Sequence, residues 1–386
     1  MNKDFNKWNA LKVLTLTKET DPLRGPRVPF GNFSNKTLVF TGGHHTGALE
    51  VAKELKNKGW KIVWLGHRFS MWGDASDSAE YKEVKEAGIE FHELLAGKFH
   101  RTYNPLKLIR IPWGFVQALY YLIKFKPTGI ISFGGYLAVP VVIGGWFLRV
   151  SAITHEQATE PGLANRLISL FAKKILVTWQ GNLGRYPFEK TELVGLPLPP
   201  GIVEAVKNPT PETRRRKQRL FITGGKQGAV VINRIIFEAL PELLKKYTVL
   251  HQTGNNTEYG DYQTAKKIKA IGYQCVDFLS SNRFSKSLLE ADIVVSRSGA
   301  HICYELAVLG KKSVLIPLPW ASRNEQTKNA EILERKKLAI IISQDQLTVK
   351  SLLLALEYAE VLDGKPMELQ IDSMQRMVGV IEKTYA

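Results

Sequence analysis

Short apolar runs alternate with stretches of helical periodicity along most of the chain. Residues 37–40 (TLVF) and 61–66 (KIVWLG) have the apolar character of buried strands. Between them, apolar residues from Ala48 to Leu55 recur at helical spacing, and Gly59 follows as a helix-ending glycine. A strand, a helix and a second strand in this order predict a βαβ unit, and therefore a parallel sheet.

The same alternation continues in two series, which a proline-rich stretch at residues 194–218 separates. Further strands of the first series are predicted at 88–94, 129–133, 151–156 and 173–178. Strands of the second series are predicted at 219–223, 247–252, 273–278, 291–296, 311–316 and 338–343. Helical segments separate these strands, which predicts an α/β fold with two doubly wound, Rossmann-like domains facing each other across a cleft.

Changes in composition predict the domain boundaries. Residues 1–35 are rich in turn formers and predict an irregular N-terminal extension. We place the N-terminal domain at 36–200, the linker at 201–218 and the C-terminal domain at 219–362. The last residues, 363–386, have a helical pattern, and we expect this segment to pack back on the N-terminal domain.

One stretch, residues 127–148, has no charge and is long enough to span a bilayer. Five glycines and Pro140 interrupt it, with a turn signal in its middle. We therefore predict a strand, a glycine loop and a buried helix with an early proline, rather than a membrane span.

The charge of the chain favours anionic partners. Of its 386 residues, 53 are Lys or Arg and 36 are Asp or Glu, which gives a net charge of +17. Nucleic acid, an anionic membrane surface and phosphorylated small molecules all suit such a surface. The basic run at 214–219 could bind nucleic acid, but its place between a polar linker and an apolar strand favours a solvated linker end. Nucleic acid is therefore not a predicted partner.

Residues of the types that bind metals are present but are not spaced as ligands. Cys275 and Cys303 lie in apolar contexts, which argues against a zinc site or a disulfide framework and fits a reducing cytoplasm. His44 and His45 are adjacent, so they cannot share one face of a helix. A histidine at a phosphate-binding turn can act as a general base, although a structural or exposed histidine fits the local pattern equally well.

Four glycine turns each connect a predicted strand to a helix. They are Gly42-Gly43, Gly134-Gly135, Gly224-Gly225 with Gly228, and Gly299. Such turns expose backbone N–H groups at the positive end of a helix, which is a ready anion site. A tight connection is the alternative for any one of them, but we expect at least two to bind phosphate. None has the spacing of a dinucleotide fingerprint or a P-loop.

Polar residues also gather where predicted strands end, which is where ligands bind in sheets of this kind. Residues 154–157 (THEQ) directly follow an apolar strand. Glu305 lies in the helix after Gly299, where a carboxylate can accept hydrogen bonds from a ribose diol or lie on a solvated face. Residues 316–330 combine prolines, an aromatic and amides, which is typical of a binding loop but also of an ordinary one.

These pieces, in this order, resemble the MurG-type N-acetylglucosaminyltransferases of glycosyltransferase family 28. The matching motifs are TGGHHTGALEVA (41–52), SFGGYLAVP (132–140), THEQ with GLAN (154–165), TGGKQGA (223–229), SRSGA with Glu305, and NEQTKNA (324–330). Each motif alone is weak, but the ordered set is specific and covers about residues 36–362. The resemblance implies the GT-B architecture.

The resemblance also implies a reaction. UDP-N-acetylglucosamine (UDP-GlcNAc) would donate its sugar to the C4 hydroxyl of a muramoyl-pentapeptide on undecaprenyl diphosphate, converting lipid I to lipid II with inversion at the anomeric carbon. Neither a cofactor nor a metal is implied. The family works as peripheral proteins on the cytoplasmic face of the plasma membrane. The matching apolar and basic region here is 104–126, with Leu106, Lys107, Ile109, Arg110, Trp113, Phe115 and Lys124.

Motif matching assigns expected roles. His44 would be the catalytic base. The acceptor diphosphate would lie on Thr41, Gly42, Gly43, Gly134 and Gly135. The polar residues beside the acceptor would be His155, Glu156 and Gln157. The donor would be held by Gly224, Gly225, Lys226, Gln227, Gly228, Ser298, Ala300, Glu305, Glu325 and Gln326. Glu305 would bind the ribose diol, and Glu325 and Gln326 would contact the sugar. His45 receives no role, and its replacement by alanine should be the milder of the two histidine changes.

The chain departs from the family pattern in ways that bear on the acceptor more than on the fold. Val39 and Phe40 stand where the family has two more glycines, and Ala158 where it has an asparagine. Pro199 stands where a phosphate-binding arginine is expected, and Lys226 replaces a serine. We hypothesise that Lys226 supplies the charge of that arginine at the donor diphosphate.

Two alternatives remain open at the level of the sequence. The first is another UDP-sugar enzyme of this fold, either a glycolipid glycosyltransferase or a UDP-GlcNAc 2-epimerase. The second is a membrane adaptor without catalytic activity, which the loss of the arginine and the asparagine would allow.

Overall fold

The computed structural model describes residues 36–43, 45–69, 77–96, 110–209, 217–254 and 259–386. His44 and the predicted extension at 1–35 lie outside these residues. So does the part of the predicted membrane-facing region at 104–109.

The first domain is built on a sheet of seven parallel strands. Their bounds are β1 Thr37–Gly42, β2 Lys61–Gly66, β3 Glu90–Glu93, β4 Gly129–Phe133, β5 Ala152–Glu156, β6 Lys174–Val177 and β7 Thr191–Leu193. They lie in the order β3-β2-β1-β4-β5-β6-β7. The helices of this domain are α1 His45–Asn57, α2 Ala79–Glu86, α3 Arg110–Phe125, α4 Ala138–Phe147 and α5 Leu163–Phe171.

The second domain repeats this plan with six parallel strands. They are β8 Gln218–Thr223, β9 Tyr247–Gln252, β10 Tyr273–Val276, β11 Ile293–Ser296, β12 Lys312–Leu315 and β13 Ala339–Ile341, in the order β10-β9-β8-β11-β12-β13. Its helices are α7 Val230–Lys246, α8 Asp261–Lys267, α9 Ser281–Glu290, α10 Ala300–Leu309, α11 Glu325–Arg335 and α12 Val349–Glu360. Two doubly wound parallel sheets confirm the predicted fold class.

Both sheets are apolar on their two faces because helices cover each side, as parallel sheets require. Val39, Val63 and Ile130 are fully buried on one face of the first sheet, while Leu38 and Phe40 are fully buried on the other. This burial explains why the strands read as continuous apolar runs in the sequence.

Two segments join the domains. The segment predicted as a linker begins with helix α6, Pro200–Lys207, which has a proline in its first turn and buries Ile202 against the second sheet. The last helix, α13 Ser373–Tyr385, returns to the first domain. Its buried residues Met377 and Ile381 belong to the core of the first sheet, and Tyr385 donates a hydrogen bond of 2.9 Å to the Ser151 carbonyl.

The uncharged stretch at 127–148 forms strand β4, a glycine turn and helix α4, as predicted. Across the ranges that the structure describes, none of the helices combines the length and the apolar character needed to cross a bilayer.

Candidate active site

The strand order of the first sheet brings two glycine turns together. Strands β1 and β4 are neighbours, with Gly42 opposite Phe133, so the turns after them start side by side. The Gly43 amide donates a hydrogen bond of 2.9 Å to the Gly134 carbonyl. The order of the strands reverses at this point, which is where sheets of this type bind ligands.

Two of these positions require glycine. Gly134 and Gly135 have φ angles of +73° and +80°, in the left-handed region. A Cβ on Gly135 would lie 2.9 Å from the Gly43 Cα, so the two backbones pack directly against each other. Thr41, which was also predicted to bind the acceptor, is completely buried in β1. Its side chain therefore lies in the core of the domain.

The glycine turn of the second domain, Gly224–Gly228, has the same place relative to its sheet. It follows β8, beside β11, which ends next to Gly299. A Cβ on Gly224 would collide with Ala229 and one on Gly228 with Thr253, whereas a Cβ on Gly225 would meet nothing within 4 Å. The turn therefore requires glycine at 224 and 228, whereas there is open space beside the backbone of Gly225.

Two helices of the second domain present uncapped N-termini to one cavity. Helix α7 follows Ala229 and helix α10 follows Gly299, and neither capping residue makes a side-chain hydrogen bond to its helix. The free N–H groups of a helix start attract anions. Gly225, Gly228, Gly299 and Ala300 all line the cavity that these helices face.

This cavity lies between the domains and has a volume of about 1250 Å³. Its first-domain wall is formed by α1, α2 and Gln157, and its second-domain wall by the glycine turn, the start of α10 and the loop before α11. Gly42, Gly43, Gly134 and Gly135 are not among its lining residues, and they form a separate cradle in the first domain.

Glu305 lies in this cavity, although it is only 6 % exposed. Burial raises the pKa of its carboxyl to about 8, so the group is mostly protonated near neutral pH. A protonated carboxyl can both donate and accept hydrogen bonds, which suits a vicinal diol.

Glu325 and Gln326 line the same cavity at the start of α11. The pKa of Glu325 is raised to about 7, mainly by burial and to a smaller extent by the negative charge of Glu156. Gln326 is fixed because its Oε1 accepts a hydrogen bond of 3.0 Å from the Leu318 amide. The side chain of Gln326 therefore has a defined position in the cavity wall.

Two further predicted donor residues lie apart from the cavity wall. Ser298 is fully buried, and its carbonyl accepts a hydrogen bond of 3.1 Å from Asn329 Nδ2. It supports the loop before α10. Gln227 lies in the glycine turn but does not line the cavity.

The three polar residues after strand β5 have different surroundings. His155 is buried, with its Nε2 3.0 Å from Thr178 Oγ1 and 3.2 Å from the Gly195 carbonyl. Glu156 is also buried, and its carboxylate receives four hydrogen bonds of 3.0–3.1 Å. The donors are the amides of Ala158 and Gly162, Asn165 Nδ2 and Tyr186 Oη.

The network of Glu156 holds the loop that follows it, so this carboxylate builds the wall of the site and does not reach into it. Burial raises the pKa of Glu156, although its hydrogen bonds act in the opposite direction. Of the three residues, Gln157 alone lines the cavity.

The structure adds a charged cluster that sequence reasoning missed. Lys226 Nζ lies 2.6 Å from Glu83 Oε1, across the cleft, and His45 Nε2 lies 3.5 Å from Glu83 Oε2. Burial alone would raise the pKa of Glu83, but contacts with His45 and Lys226 lower it to about 2. Glu83 is 143 residues from Lys226, so no local pattern could have paired them.

The structure also places Arg297 in the wall of the cavity. Its guanidinium donates to the carbonyls of Ile316 and Pro317 and, at 2.6 Å, to Gln344 Oε1. It ties the ends of three strands together. Ser298 and Gly299 of the SRSG sequence were interpreted as parts of the donor site, but Arg297 between the strand and these residues was not. In the parts of the chain that the structure describes, no three His, Cys, Asp or Glu side chains gather in a way that could hold a metal ion.

Comparison with known proteins places both domains in one family. Residues 39–177 match the glycosyltransferase family 28 N-terminal domain, and residues 219–372 match the glycosyltransferase family 28 C-terminal domain. Together these matches cover more than half of the chain.

Relatives with assigned names match over most of their length. The chain is 34% identical, over 82% of its own length and 90% of the relative's, to UDP-N-acetylglucosamine–N-acetylmuramyl-(pentapeptide) pyrophosphoryl-undecaprenol N-acetylglucosamine transferase 2 of Bacillus cereus. It is also 29% identical to the UDP-N-acetylglucosamine–N-acetylmuramyl-(pentapeptide) pyrophosphoryl-undecaprenol N-acetylglucosamine transferase of Legionella pneumophila. This match covers 90% of this chain and 96% of the relative.

Solved structures agree on the fold. MurG of Acinetobacter baumannii superimposes with a TM-score of 0.65 at 22% identity, over 90% of this chain and 99% of that one. UDP-GlcNAc 2-epimerase of Neisseria meningitidis has a TM-score of 0.58 at 13% identity, over 90% and 100%. At these identities the structures show a shared fold and no more. The two domain matches and the 34% identity show that the chain belongs to glycosyltransferase family 28 and, within it, to the MurG-type N-acetylglucosaminyltransferases.

Proposed function

We propose that the protein transfers N-acetylglucosamine from UDP-GlcNAc to a muramoyl-pentapeptide carried on undecaprenyl diphosphate, and so converts lipid I to lipid II. The observation that carries this proposal is the 34% identity, over 82% of this chain and 90% of the relative, to a transferase named for this reaction. The 2-epimerases share only the fold with this chain, at 13% identity, so they are the weaker candidates.

The donor is proposed to bind to the second domain. Its diphosphate lies at the N-termini of α7 and α10, where Gly225, Gly228 and Ala300 expose backbone amides to the cavity. Its ribose diol bonds to Glu305, and its sugar bonds to Glu325 and Gln326. Helix ends and a lysine stabilise the charge that gathers on UDP as it leaves, so we propose that the reaction needs neither a metal nor a cofactor.

The acceptor is proposed to bind to the first domain, with its diphosphate on the cradle formed by Gly42, Gly43, Gly134 and Gly135. The C4 hydroxyl oxygen attacks the anomeric carbon of the donor sugar while the bond from that carbon to the diphosphate oxygen breaks. His44 takes the hydroxyl proton as general base, and UDP leaves with the bonding electrons. Attack from the side opposite UDP inverts the anomeric centre.

The lipid chain of such an acceptor requires contact with a membrane, and one face of the first domain is suited to this contact. Helices α3, α4 and α5 pack side by side and expose large apolar side chains. These are Trp113, Val116, Tyr120, Ile123, Trp146, Phe147, Leu148, Leu163, Leu167 and Leu170. Contiguous apolar surface of this kind is typical of a protein or membrane contact.

Charge selects the membrane as the partner. Exposed basic residues flank the apolar face: Lys124, Lys126, Arg149, Arg166 and Lys173. Between residues 94 and 155 the chain contains no Asp or Glu. An apolar face with a basic border binds anionic lipid at the interface without spanning the bilayer. We therefore propose that the protein is peripheral on the cytoplasmic face of the plasma membrane.

The transfer proposal is tested with radiolabelled UDP-GlcNAc and a short-chain analogue of lipid I in detergent micelles. We expect a β-linked disaccharide product, and an undiminished rate in excess EDTA. Release of UDP-N-acetylmannosamine without transfer would favour an epimerase. UDP binding with neither reaction would favour an adaptor.

Membrane binding is tested by sedimentation with phosphatidylglycerol and phosphatidylcholine vesicles. Leu170→Glu should reduce binding to the anionic vesicles, because it places a charge in the apolar face at a side chain that is 68 % exposed. The matched control is Ile271→Glu, which changes a fully exposed apolar residue of the second domain. Equal loss of binding in both variants would contradict the proposed face.

A further inference from the structure

Among the residues that the structure describes, two ion pairs cross the cleft at different places. Lys226 of the second domain pairs with Glu83 of α2, and Lys328 of α11 pairs with Glu160 of the loop after β5, each at 2.6 Å. Only the first pair lies in the wall of the large cavity, where both of its side chains are lining residues. The second pair borders a small separate cavity.

Lys226 is placed by a rigid turn. It follows Gly225, whose amide donates a hydrogen bond of 3.0 Å to Thr223 Oγ1, and the Gly228 amide donates one of 3.1 Å to the Gly225 carbonyl. The turn leads directly to the uncapped N-terminus of α7. The ammonium of Lys226 therefore belongs to the part of the cavity where backbone amides favour an anion.

Glu83 is the anion that Lys226 contacts in this structure. One of its oxygens contacts Lys226 and the other lies 3.5 Å from His45. The contacts that keep its pKa at about 2 also keep it ionised throughout the neutral range. A carboxylate here opposes a second anion in two ways: it occupies the lysine, and it repels negative charge.

We propose that Glu83 is a counter-ion that the donor diphosphate displaces: it holds Lys226 while the site is empty and takes it back when UDP leaves. This inference rests on the proposed binding of UDP-GlcNAc to the second domain. A diphosphate carries more charge than one carboxylate, and it contacts the helix N-termini as well as Lys226. It therefore displaces the Glu83 carboxylate from Lys226. Glu83 then lowers the affinity for UDP and speeds its release, and it contacts neither the sugar nor the acceptor.

The experiment is isothermal titration of UDP, and of uridine, into the full chain, three single variants and one double variant. Glu83→Gln keeps the shape of the side chain and removes its charge. We expect it to tighten UDP binding about three- to fivefold, the range that the loss of a partly exposed ion pair covers. Its affinity for uridine should not change, because uridine has no diphosphate.

The other variants separate exchange from a structural role. Lys226→Met should weaken UDP binding, and Glu83→Gln should give a smaller gain in that background than in the wild type, because it then relieves only the repulsion and releases no lysine. Glu160→Gln breaks the other cross-cleft pair and should leave the dissociation constant of UDP unchanged. If Glu83 served only to hold the domains together, Glu83→Gln would weaken UDP binding or leave it unchanged, and either result would overturn the inference.

The transfer assay, run in parallel, distinguishes this inference from the proposed function. If the wild-type protein transfers GlcNAc but Glu83→Gln does not tighten UDP binding, only the inference fails. If UDP binding follows the expected pattern but no sugar is transferred to the lipid I analogue, only the proposed function fails.

Discussion

The contact between the two glycine turns of the first domain gives a quantitative prediction for Gly135→Ala. Gly135 has a φ angle of +80°, and its new Cβ would lie 2.9 Å from the Gly43 Cα and 3.0 Å from the Gly43 nitrogen. Both contacts are with backbone, so no side chain can rotate away. The turns must separate by several tenths of an ångström, at the hydrogen bond that joins Gly43 to Gly134.

Two costs add in this variant. An alanine in the left-handed region costs about 1–2 kcal/mol. Forcing a methyl group into a packed contact costs a further 1–3 kcal/mol, roughly. Gly135→Ala should therefore lower the free energy of unfolding of the first domain by about 2–5 kcal/mol. It should also raise the KM for the acceptor by about tenfold or more, because the cradle is displaced.

Gly59→Ala is the matched control. Gly59 has a φ angle of +94°, but a Cβ there would meet nothing within 4 Å. It should show the conformational cost alone, about 1–2 kcal/mol, with no change in the acceptor KM. Urea unfolding and steady-state kinetics with the lipid I analogue measure both quantities.

The reasoning would be refuted by equal destabilisation in the two variants, because the backbone contact would then cost nothing. If the acceptor KM of a folded Gly135→Ala protein were unchanged, the glycine cradle would not be part of the acceptor site. The dissociation constant of UDP should be the same in both variants, since we propose that the donor binds to the other domain.

Three further predictions concern buried groups. The pKa of Glu305 is about 8 in the folded protein, whereas its ordinary value is 4.5. The unfolded chain therefore loses this proton at a lower pH than the folded protein, and Glu305 makes the free energy of unfolding fall as pH rises between those values. Glu305→Gln should flatten this part of the pH profile in urea unfolding at pH 5–9. Burial lowers the pKa of His251 to about 3, so stability should fall as pH drops from 6.5 towards 3, and an undiminished acid slope in His251→Gln would contradict this assignment. Ile381 is 1% exposed in the core of the first sheet, so Ile381→Ala should cost about 2–5 kcal/mol in the first domain, whereas Ile271→Ala, at a fully exposed residue, should cost almost nothing.

The elements of the fold could be predicted because their signals are local. Strand β4 was expected at 129–133 and is Gly129–Phe133, and the glycine turns at 134 and 224 follow their strands as the spacing indicated. The region between the domains was predicted less well. The proline-rich stretch at 194–218 was interpreted as a break in the pattern, whereas Pro200 starts helix α6 within it, because a proline in the first turn of a helix gives up no hydrogen bond.

The site was predicted only in part, because a motif says which residues are near a ligand and not which of them face it. Residues 155–157 are consecutive, yet Glu156 binds its own loop and Gln157 alone lines the cavity. Ser298 and Thr41 match motif positions but are buried. Neither residue lines the cavity.

The sequence by itself determined the order of strands, helices and glycine turns, the two domains and the family, because each depends on residues close together in the chain or on motifs in a fixed order. Only the tertiary structure decided that β4 lies beside β1, so that Gly43 meets Gly134, and that Lys226 meets Glu83 across the cleft. The partners in these pairs are 91 and 143 residues apart in the sequence. They meet because burial of apolar faces orders the strands and brings the domains together, and no local pattern records which distant groups that burial will leave side by side.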